Sequence, residues 1–465
     1  RHSADLGKTI LSEVNSVVGK GLGSMMTLFM QSAVTLALLT LLILVDLKLT
    51  LLVGLTLSTA YGIIYKFSQI YITKIGEDRF KANQMRFTAV SEAFSAAKEI
   101  KIGGLEQIYI TRFADPAKAL AKSSASMAVF TLIPRFALEA ITFGGMLLVV
   151  LYLMAQSGDF TSALPIIALY AFAGYRLMPA LQQIYVSISQ LRYIRPSLDS
   201  MYDDMKKLKR SAINQNQDVL PLKKNITLRK INYNYPNVSR TTLKDINLVI
   251  SANSTVGIVG ATGSGKTTTV DIILGLLEAQ KGTLEVDGKI IDKNNRRSWQ
   301  NSIGYVPQNI YLSDDTIAAN IAFGVEPKDI DYKSVEKAAK IANLHNFVIS
   351  ELPLKYLTTI GERGVRLSGG QRQRIGIARA LYHKPQVLIL DEATSALDNL
   401  TEQVVMEAVH NIGKDITIIL IAHRLSTVKE CDTIFQLENG ELKGQGSFEK
   451  LIEVNEKFRE SVAKS

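Results

Sequence analysis

The sequence predicts a multidomain fold: an all-α transmembrane helical domain over residues 1–210, a linker over 211–224, and an α/β phosphate-loop domain over 225–465. Two observations predict it directly: four long apolar runs crowd the first half, and short β-branched strands alternate with helical segments around a phosphate-loop string in the second. A mean hydropathy of +0.13 agrees, since it is high for a soluble chain and low for one wholly in lipid. The 465 residues are 47% hydrophobic and 21% charged with 11 prolines, which excludes a disordered, collagenous or low-complexity chain. Cys431 stands alone, so an intramolecular disulfide framework and a cysteine-based zinc site are both excluded, and a reducing cytosolic face is the natural environment.

The first apolar run, 28–45, is eighteen residues without a formal charge, long enough to cross about 30 Å of hydrocarbon at about 1.5 Å per residue. Only Asp46, Leu47 and Lys48 separate it from the second, 49–64, so the pair forms an antiparallel hairpin. The runs 136–154 and 163–186 form a second pair, joined by AQSGDFTS. Between the pairs, 65–134 is long and basic, with Lys66, Lys74, Arg79, Lys81, Arg86, Lys98, Lys101, Arg112, Lys118 and Lys122. The positive-inside rule places that segment in the cytoplasm and the two tight links outside. Its composition suits two helices that continue the second and third spans, with a turn near residues 103–113; Gly76, the Gly103-Gly104 pair and Pro116 are its breakers. Buried-core helices of a large soluble enzyme are the alternative, but four such runs in one half are hard to bury otherwise.

In the second half, a strand over 255–259 leads into Gly260-Ala261-Thr262-Gly263-Ser264-Gly265-Lys266-Thr267 and a helix over 268–277, the strand-loop-helix setting that the G-x-x-x-x-G-K-[ST] string requires. Its glycines let backbone N–H groups face phosphate oxygens, Lys266 bridges them, and the Thr267 hydroxyl suits a Mg²⁺ ligand. The apolar strand 387–390 ends in Asp391-Glu392, and carboxyl ends of such strands are where open α/β sheets hold ligands. Asp391 suits a Mg²⁺ contact through water and Glu392 a general base on the attacking water.

Leu367-Ser368-Gly369-Gly370-Gln371, followed by RQRIGIARALY, resembles the signature of the ABC (ATP-binding cassette) family, and the resemblance covers residues 225–450. It implies a P-loop ATP-binding cassette that uses ATP and Mg²⁺, with Gly260, Gly263, Ser264, Gly265, Lys266, Thr267 and Thr268 around the phosphates. A serine and two glycines at a helix N-terminus form a second anion site on the same chain. In the family a head-to-tail dimer explains this, so Ser368, Gly369, Gly370 and Gln371 would face nucleotide held by a second, identical chain. The resemblance further places an adenine-stacking aromatic at Tyr235, with Tyr233 an equal candidate by position, the metal- and water-sensing glutamine at Gln308, the dimer-contact loop at Asp398 and a γ-phosphate contact at His423. The 361–364 segment, Gly-Glu-Arg-Gly, resembles the exporter-type stretch that touches the membrane domain. Catalysis thus falls to Glu392, His423 and Gln308, and metal contact to Thr267, Gln308 and Asp391.

A membrane domain fused ahead of the cassette is the exporter arrangement, which implies an ATP hydrolase of the transporter class in the plasma (inner) membrane with its cassette on the cytoplasmic side. Arg135 stands at the start of the third run and Arg176 inside the fourth; a cation at membrane depth costs several kcal/mol unless paired or wetted, so both are substrate candidates. Their strings resemble bacterial lipid-linked oligosaccharide flippases, which implies a lipid-linked glycan or similar amphipathic substrate. The structural alternative pairs Arg135 with Glu139 and leaves Arg176 to pin a helix kinked at Pro179. A multidrug or lipid exporter is a second functional possibility, and a non-transporting ATPase of the same family a third, against which the apolar runs weigh. The formal charge of +10 falls largely on the cytoplasmic extensions and on Lys206, Lys207, Lys209 and Arg210, so membrane lipid headgroups explain it and nucleic acid is not needed. Four spans against the six of a family half-transporter, with Arg rather than Met at residue 1, suggest a fragment lacking the first two spans.

Overall fold

The computed structural model describes residues 7–45, 47–157, 160–207, 218–236, 241–361, 364–392, 416–422, 425–456 and 458–459. The chain divides into two compact units, Arg1–Ser211 and Ala212–Ser465.

The first unit is helical: α1 (Thr9–Val45), α2 (Leu47–Ser95), a short α3 (Ala97–Gly103), α4 (Glu106–Ser157) and α5 (Phe160–Lys207). With 49, 52 and 48 residues, helices α2, α4 and α5 each reach about 70–80 Å, more than twice the thickness of hydrocarbon. The predicted continuation of the apolar runs into polar extensions is what gives them this length. Large apolar side chains such as Phe29, Leu44 and Leu55 lie exposed on the spans, as a lipid-facing surface needs. Hydroxyls within the spans are satisfied locally: Thr35, Thr40 and Thr59 each donate to the carbonyl four residues earlier. By length and composition, two helical stretches among the described residues can cross a membrane, Thr9–Val45 and Glu106–Gly145.

The turn expected near 103–113 is present but tighter. Ala96 breaks α2, and Gly104 adopts φ 62°, which turns the chain back so that Glu106 already starts α4. Phe113 and the supposed breaker Pro116 therefore lie inside α4, as does Pro134. Gly76 is not a breaker either. It lies within α2, where a Cβ would come 2.6 Å from the Tyr193 carbonyl oxygen on α5, so glycine permits the close approach of two helix backbones.

Arg79, counted above among the basic residues of the 65–134 segment, is buried. Its guanidinium pairs with Glu13 Oε2 at 2.9 Å, and Ser197 bonds to both groups, so α1, α2 and α5 meet at one ion pair. Asn83 donates to Glu13 Oε1 at 2.7 Å. Glu13 ends a π-helical turn, Thr9–Glu13, followed by a second, Ser16–Leu22, so α1 is locally widened beside this cluster.

The second unit holds two sheets. β1 (Asn225–Tyr233), β2 (Leu243–Ser251), β4 (Lys281–Val286) and β5 (Lys289–Ile290) form an antiparallel sheet in the order β2-β1-β4-β5. The larger sheet contains β3 (Thr255–Val259), β6 (Ile303–Val306), β7 (Val387–Asp391), β8 (Thr417–Ile421), β9 (Thr433–Glu438) and β10 (Glu441–Gly446), in the order β10-β9-β3-β8-β7-β6. All its pairings are parallel except β9 with β10. The strands β3, β7 and β8 are buried throughout, as a sheet covered on both faces requires.

Helix α6 (Lys266–Ile273) follows β3 and is shorter than the predicted 268–277 segment, because Gly275 at φ 67° closes it. Trp299, in α7 (Arg296–Gln300), is fully buried and donates its indole N–H to the Ile273 carbonyl at 2.7 Å, which fixes the end of α6. Short α8 (Ile317–Ile321), α9 (Tyr332–Ile341) and α10 (His345–Glu351) precede α11 (Gly369–Tyr382). Beyond β8 lie α12 (Leu425–Val428) and α13 (Phe448–Val454).

Asp287 grips the entry to β1: its carboxylate accepts the backbone N–H groups of Lys223, Lys224 and Asn225 at 2.7–2.9 Å. Burial works against the charge, but the three N–H donors outweigh it and hold the carboxyl below the ordinary range. A depressed folded value contributes stability that is present above the unfolded pKa of about 3.9 and lost as pH falls through the folded one.

Two outcomes are expected. Glu13→Ala leaves Arg79 buried without its counter-charge and should destabilise the helical unit by about 3 kcal/mol, with Glu13→Gln milder, read as thermal unfolding in detergent. Asp287→Asn should lower the cassette transition near neutral pH by no more than about 1 kcal/mol, given its exposure, and the gap to wild type should close as pH is taken below about 4.

Candidate functional site

The parallel sheet brings the chemistry-bearing residues to the carboxyl ends of β3 and β7, which are separated only by β8. After Val259 the chain turns through Gly260 to Gly265 into α6. Two glycines are obligatory there. A Cβ on Gly260 would come 2.2 Å from the Leu437 carbonyl oxygen, and Gly265, at φ 104°, would put one 2.6 Å from Leu243 Cδ2. Gly263, at φ 78°, faces open space, and Thr267 is exposed at the mouth of the loop.

Lys266 curls back over this loop, donating to the carbonyls of Gly260 at 2.7 Å and Ala261 at 3.1 Å. Burial pulls its ammonium below the usual lysine range, while the Glu392 and Asp391 carboxylates pull the other way. The Ser264 hydroxyl is buried and lacks a hydrogen-bond partner among the described residues. A lysine satisfied only by its own loop and an orphaned hydroxyl beside it fit the oxygens of a phosphate group.

Asp391 ends β7 and is buried; burial, reinforced by Glu392 and Asp271, holds its carboxyl above the ordinary range despite a hydrogen bond from Tyr305. Glu392 takes φ 51°, a left-handed backbone that turns it off the strand end, and its Oε2 accepts Gln308 Nε2 at 2.7 Å. The sequence placed Gln308 and Glu392 in the site separately; the structure joins them directly. An exposed Thr267 hydroxyl and the Asp391 carboxylate supply the hard oxygen donors that Mg²⁺ takes, so this donor set fits the ion.

Tyr233 and Tyr235 were equal candidates for an aromatic platform. Tyr233 is buried in the core at 7% exposure, whereas Tyr235, at 37%, stands edge-on against it and places its hydroxyl 3.3 Å from Thr268 Oγ1. Tyr235 is thus the ring open to a ligand at the phosphate loop.

Ser368 is the N-cap of α11. Its hydroxyl accepts the Gln371 N–H, and the Gln371 side chain accepts the Ser368 N–H, a complete capping box. Gly369, Gly370 and Gln371 are therefore the first helical turn; the cap takes the Gln371 N–H and leaves those of Gly369 and Gly370 for an anion. Asp398 and His423 lie outside the described residues, as do Glu362 and Arg363 between Gly361 and Gly364.

In the helical unit, Arg135 Nε pairs with Glu139 Oε1 at 2.9 Å, the i, i+4 alternative considered above. Arg176 is exposed on α5 and has no ion-pair partner among the described residues. Tyr305 is the residue near the site that sequence reasoning missed. Its partnership with Asp391 depends on strand register, although its place just before the V-P-Q string was visible.

Fold and site define a class: a P-loop nucleotide-binding cassette with a signature helix, preceded by a unit of long apolar helices. The comparisons agree. Residues 243–395 match the ABC transporter family model. An ATP-dependent lipid A-core flippase of Saccharophagus degradans is 42% identical over 228 residues, 49% of this chain and 38% of that protein. A candidate multidrug export ATP-binding/permease protein of Bacillus subtilis, YgaD, is 35% identical over 296 residues, 62% of this chain and 50% of that one. This chain thus spans between 38% and 50% of the length of these two relatives. Among solved structures, a bacterial Atm1-family ABC exporter with ATP bound superposes with a TM-score of 0.87 at 26% identity, over 100% of this chain and 81% of that one. The cassette region 243–395 matches the ABC transporter family, and the whole chain shares the exporter-type arrangement of a helical domain followed by an ATP-binding cassette.

Gly265→Ala should lower affinity for a fluorescent ATP analogue by at least about tenfold, because both its φ and its contact with Leu243 forbid a Cβ, while the helical unit unfolds as in wild type.

Proposed function

We propose that the chain is the motor and part of the translocation path of an ATP-driven exporter or flippase, working as a head-to-tail pair of identical copies. The observation that carries this is the division of labour within one chain. The phosphate loop, Asp391, Glu392 and Gln308 are assembled, yet Ser368 is engaged in capping its own helix. A second copy whose Ser368, Gly369, Gly370 and Gln371 close over the phosphate loop completes two sites.

In that closed form the Tyr235 ring stacks on adenine, and Gly260 to Thr268 cradle the phosphates through backbone N–H groups. Lys266 leaves the Gly260 and Ala261 carbonyls for phosphate oxygens. Thr267, Asp391 and Gln308 would hold Mg²⁺, which would supply charge neutralisation at the terminal phosphates. Gln308 must release Glu392, whose freed carboxylate takes a proton from the attacking water as general base. His423 steadies the γ-phosphate and Asp398 the dimer contact. ATP favours the closed pair only through its higher affinity for that form.

The proposed setting is the inner membrane with the cassette on the cytoplasmic side; the α3 turn is the coupling element. For the substrate we favour a lipid-linked oligosaccharide or another amphiphile with a phosphate-bearing head, in keeping with the flippase relative. Arg176 on α5, without an ion-pair partner among the described residues, supports this. The pairing of Arg135 with Glu139 removes one of the two cations from that argument and favours the second possibility, a multidrug or lipid exporter.

In proteoliposomes, Glu392→Gln should lower ATPase by about a hundredfold or more with ATP affinity within about threefold of wild type; unchanged ATPase would refute the general-base role. Arg176→Ala should slow flipping of a pyrophosphate-linked glycolipid but leave transport of an uncharged amphiphile intact. Equal loss of both would remove Arg176 from headgroup recognition.

A further inference from the structure

Asp391 is a buried carboxylate at the centre of the cassette, and a buried carboxylate needs donors to keep its geometry. Among the described residues its side chain receives one hydrogen bond, from the Tyr305 hydroxyl to Oδ2 at 3.3 Å. The strand register produces this contact. β6 is the outermost strand on its side of the sheet and runs parallel to β7, with Tyr305 opposite Ile389 and Val306 opposite Leu390. Side chains alternate between faces along a strand, so Tyr305, Ile389 and Asp391 share one face. Asp391 lies two residues beyond Ile389, a diagonal step that the length of a tyrosine spans. The same face carries Ile258, Ile419 and α6 residues Val270 and Ile273, so the Tyr305 ring is walled by the core while its hydroxyl reaches the site. Val306, on the opposite face, belongs to the other core cluster and has no such reach.

We infer that Tyr305 is a positioning residue: its hydroxyl holds Oδ2 of Asp391 and so fixes which carboxylate oxygen is presented to the metal-bound nucleotide. The inference rests on the proposed role of Asp391 toward Mg²⁺. Two facts separate it from simple packing. The ring alone would fill the space between β6 and the core, so a hydroxyl is not needed for burial. A phenylalanine there would also leave the Asp391 side chain without any hydrogen bond from the described residues.

The test uses the full chain in detergent and Mn²⁺ as the probe ion, with a non-hydrolysable ATP analogue, free Mn²⁺ being read by electron paramagnetic resonance. Tyr305→Phe should weaken Mn²⁺ binding in the presence of nucleotide about three- to tenfold, the low end for a residue that supports a metal-facing carboxylate from behind. Nucleotide affinity in EDTA and the thermal transition should stay as in wild type. Asp391→Asn should weaken Mn²⁺ at least as much, and the double variant should be no worse than Asp391→Asn alone. Mn²⁺ affinity of Tyr305→Phe within twofold of wild type, with Asp391→Asn impaired, overturns the role of Tyr305 and leaves the metal site standing. If Tyr305→Phe also lowers the thermal transition, the double variant decides: additive losses overturn the positioning role, and a loss no greater than that of Asp391→Asn supports it. An unimpaired Asp391→Asn refutes the metal assignment itself.

Discussion

One buried cation governs the cassette. The Lys266 ammonium lies within its own loop, between the Gly260 and Ala261 carbonyls and in the field of the Asp391 and Glu392 carboxylates. A lysine so placed is costly unless its neighbours are polar and fixed, and the parallel sheet supplies both conditions. β3 delivers the loop, β7 delivers the carboxylates, and β8 sets the spacing between them. Gly260 and Gly265 follow from the same constraint, since the loop must fold tightly enough for its carbonyls to reach the ammonium. Trp299 pins the far end of α6, so the helix that presents Lys266 cannot slide.

The helical unit solves a related problem by pairing. Glu13 and Arg79 are both buried, and their charges cancel inside a cluster completed by Ser197 and Asn83. A buried ion pair of this kind adds little net stability over an apolar equivalent but is severe on misplacement, because slipping one helix by a turn strands a charge. It therefore fixes the register of α1, α2 and α5 where their length alone would not. The contact of Gly76 with the Tyr193 carbonyl adds a steric limit to the α2–α5 pair nearby.

What the sequence made legible was whatever depends on local backbone. The phosphate loop needs glycines at fixed spacing, the Asp391-Glu392 pair ends an apolar strand, and the family string at 367–371 is contiguous, so all three could be read without a structure. Features set by tertiary register could not. Arg79 looked like one more basic residue of the 65–134 segment, because nothing in its neighbourhood names Glu13, 66 residues away. Pro116 and Gly76 looked like breakers, although a long helix tolerates both when packing supports it. Tyr233 and Tyr235 were equivalent until burial separated them, and Tyr305 acquires its partner only when β6 and β7 align. The turn near 103–113 was placed correctly but drawn too long, since Gly104 reverses the chain in one residue.

The hydrogen bonds within the site bear on how, in the proposed pair, binding energy would become motion. Three of the groups proposed to meet ATP already have partners: Lys266 in its loop, Glu392 in Gln308, Ser368 in the first turn of α11. Nucleotide must displace the first two of these contacts, so a single cassette gains little from it beyond exchanging one set of hydrogen bonds for another. In the proposed pair the gain would come from a second signature turn that adds N–H donors to the same phosphates, and only when the pair is closed. A ligand moves an equilibrium only by its preference between the two states, and a site that satisfies itself when open concentrates that preference in the closed one. In that proposed pair hydrolysis would remove the shared phosphate, and Gln308 and Lys266 have their own partners to return to.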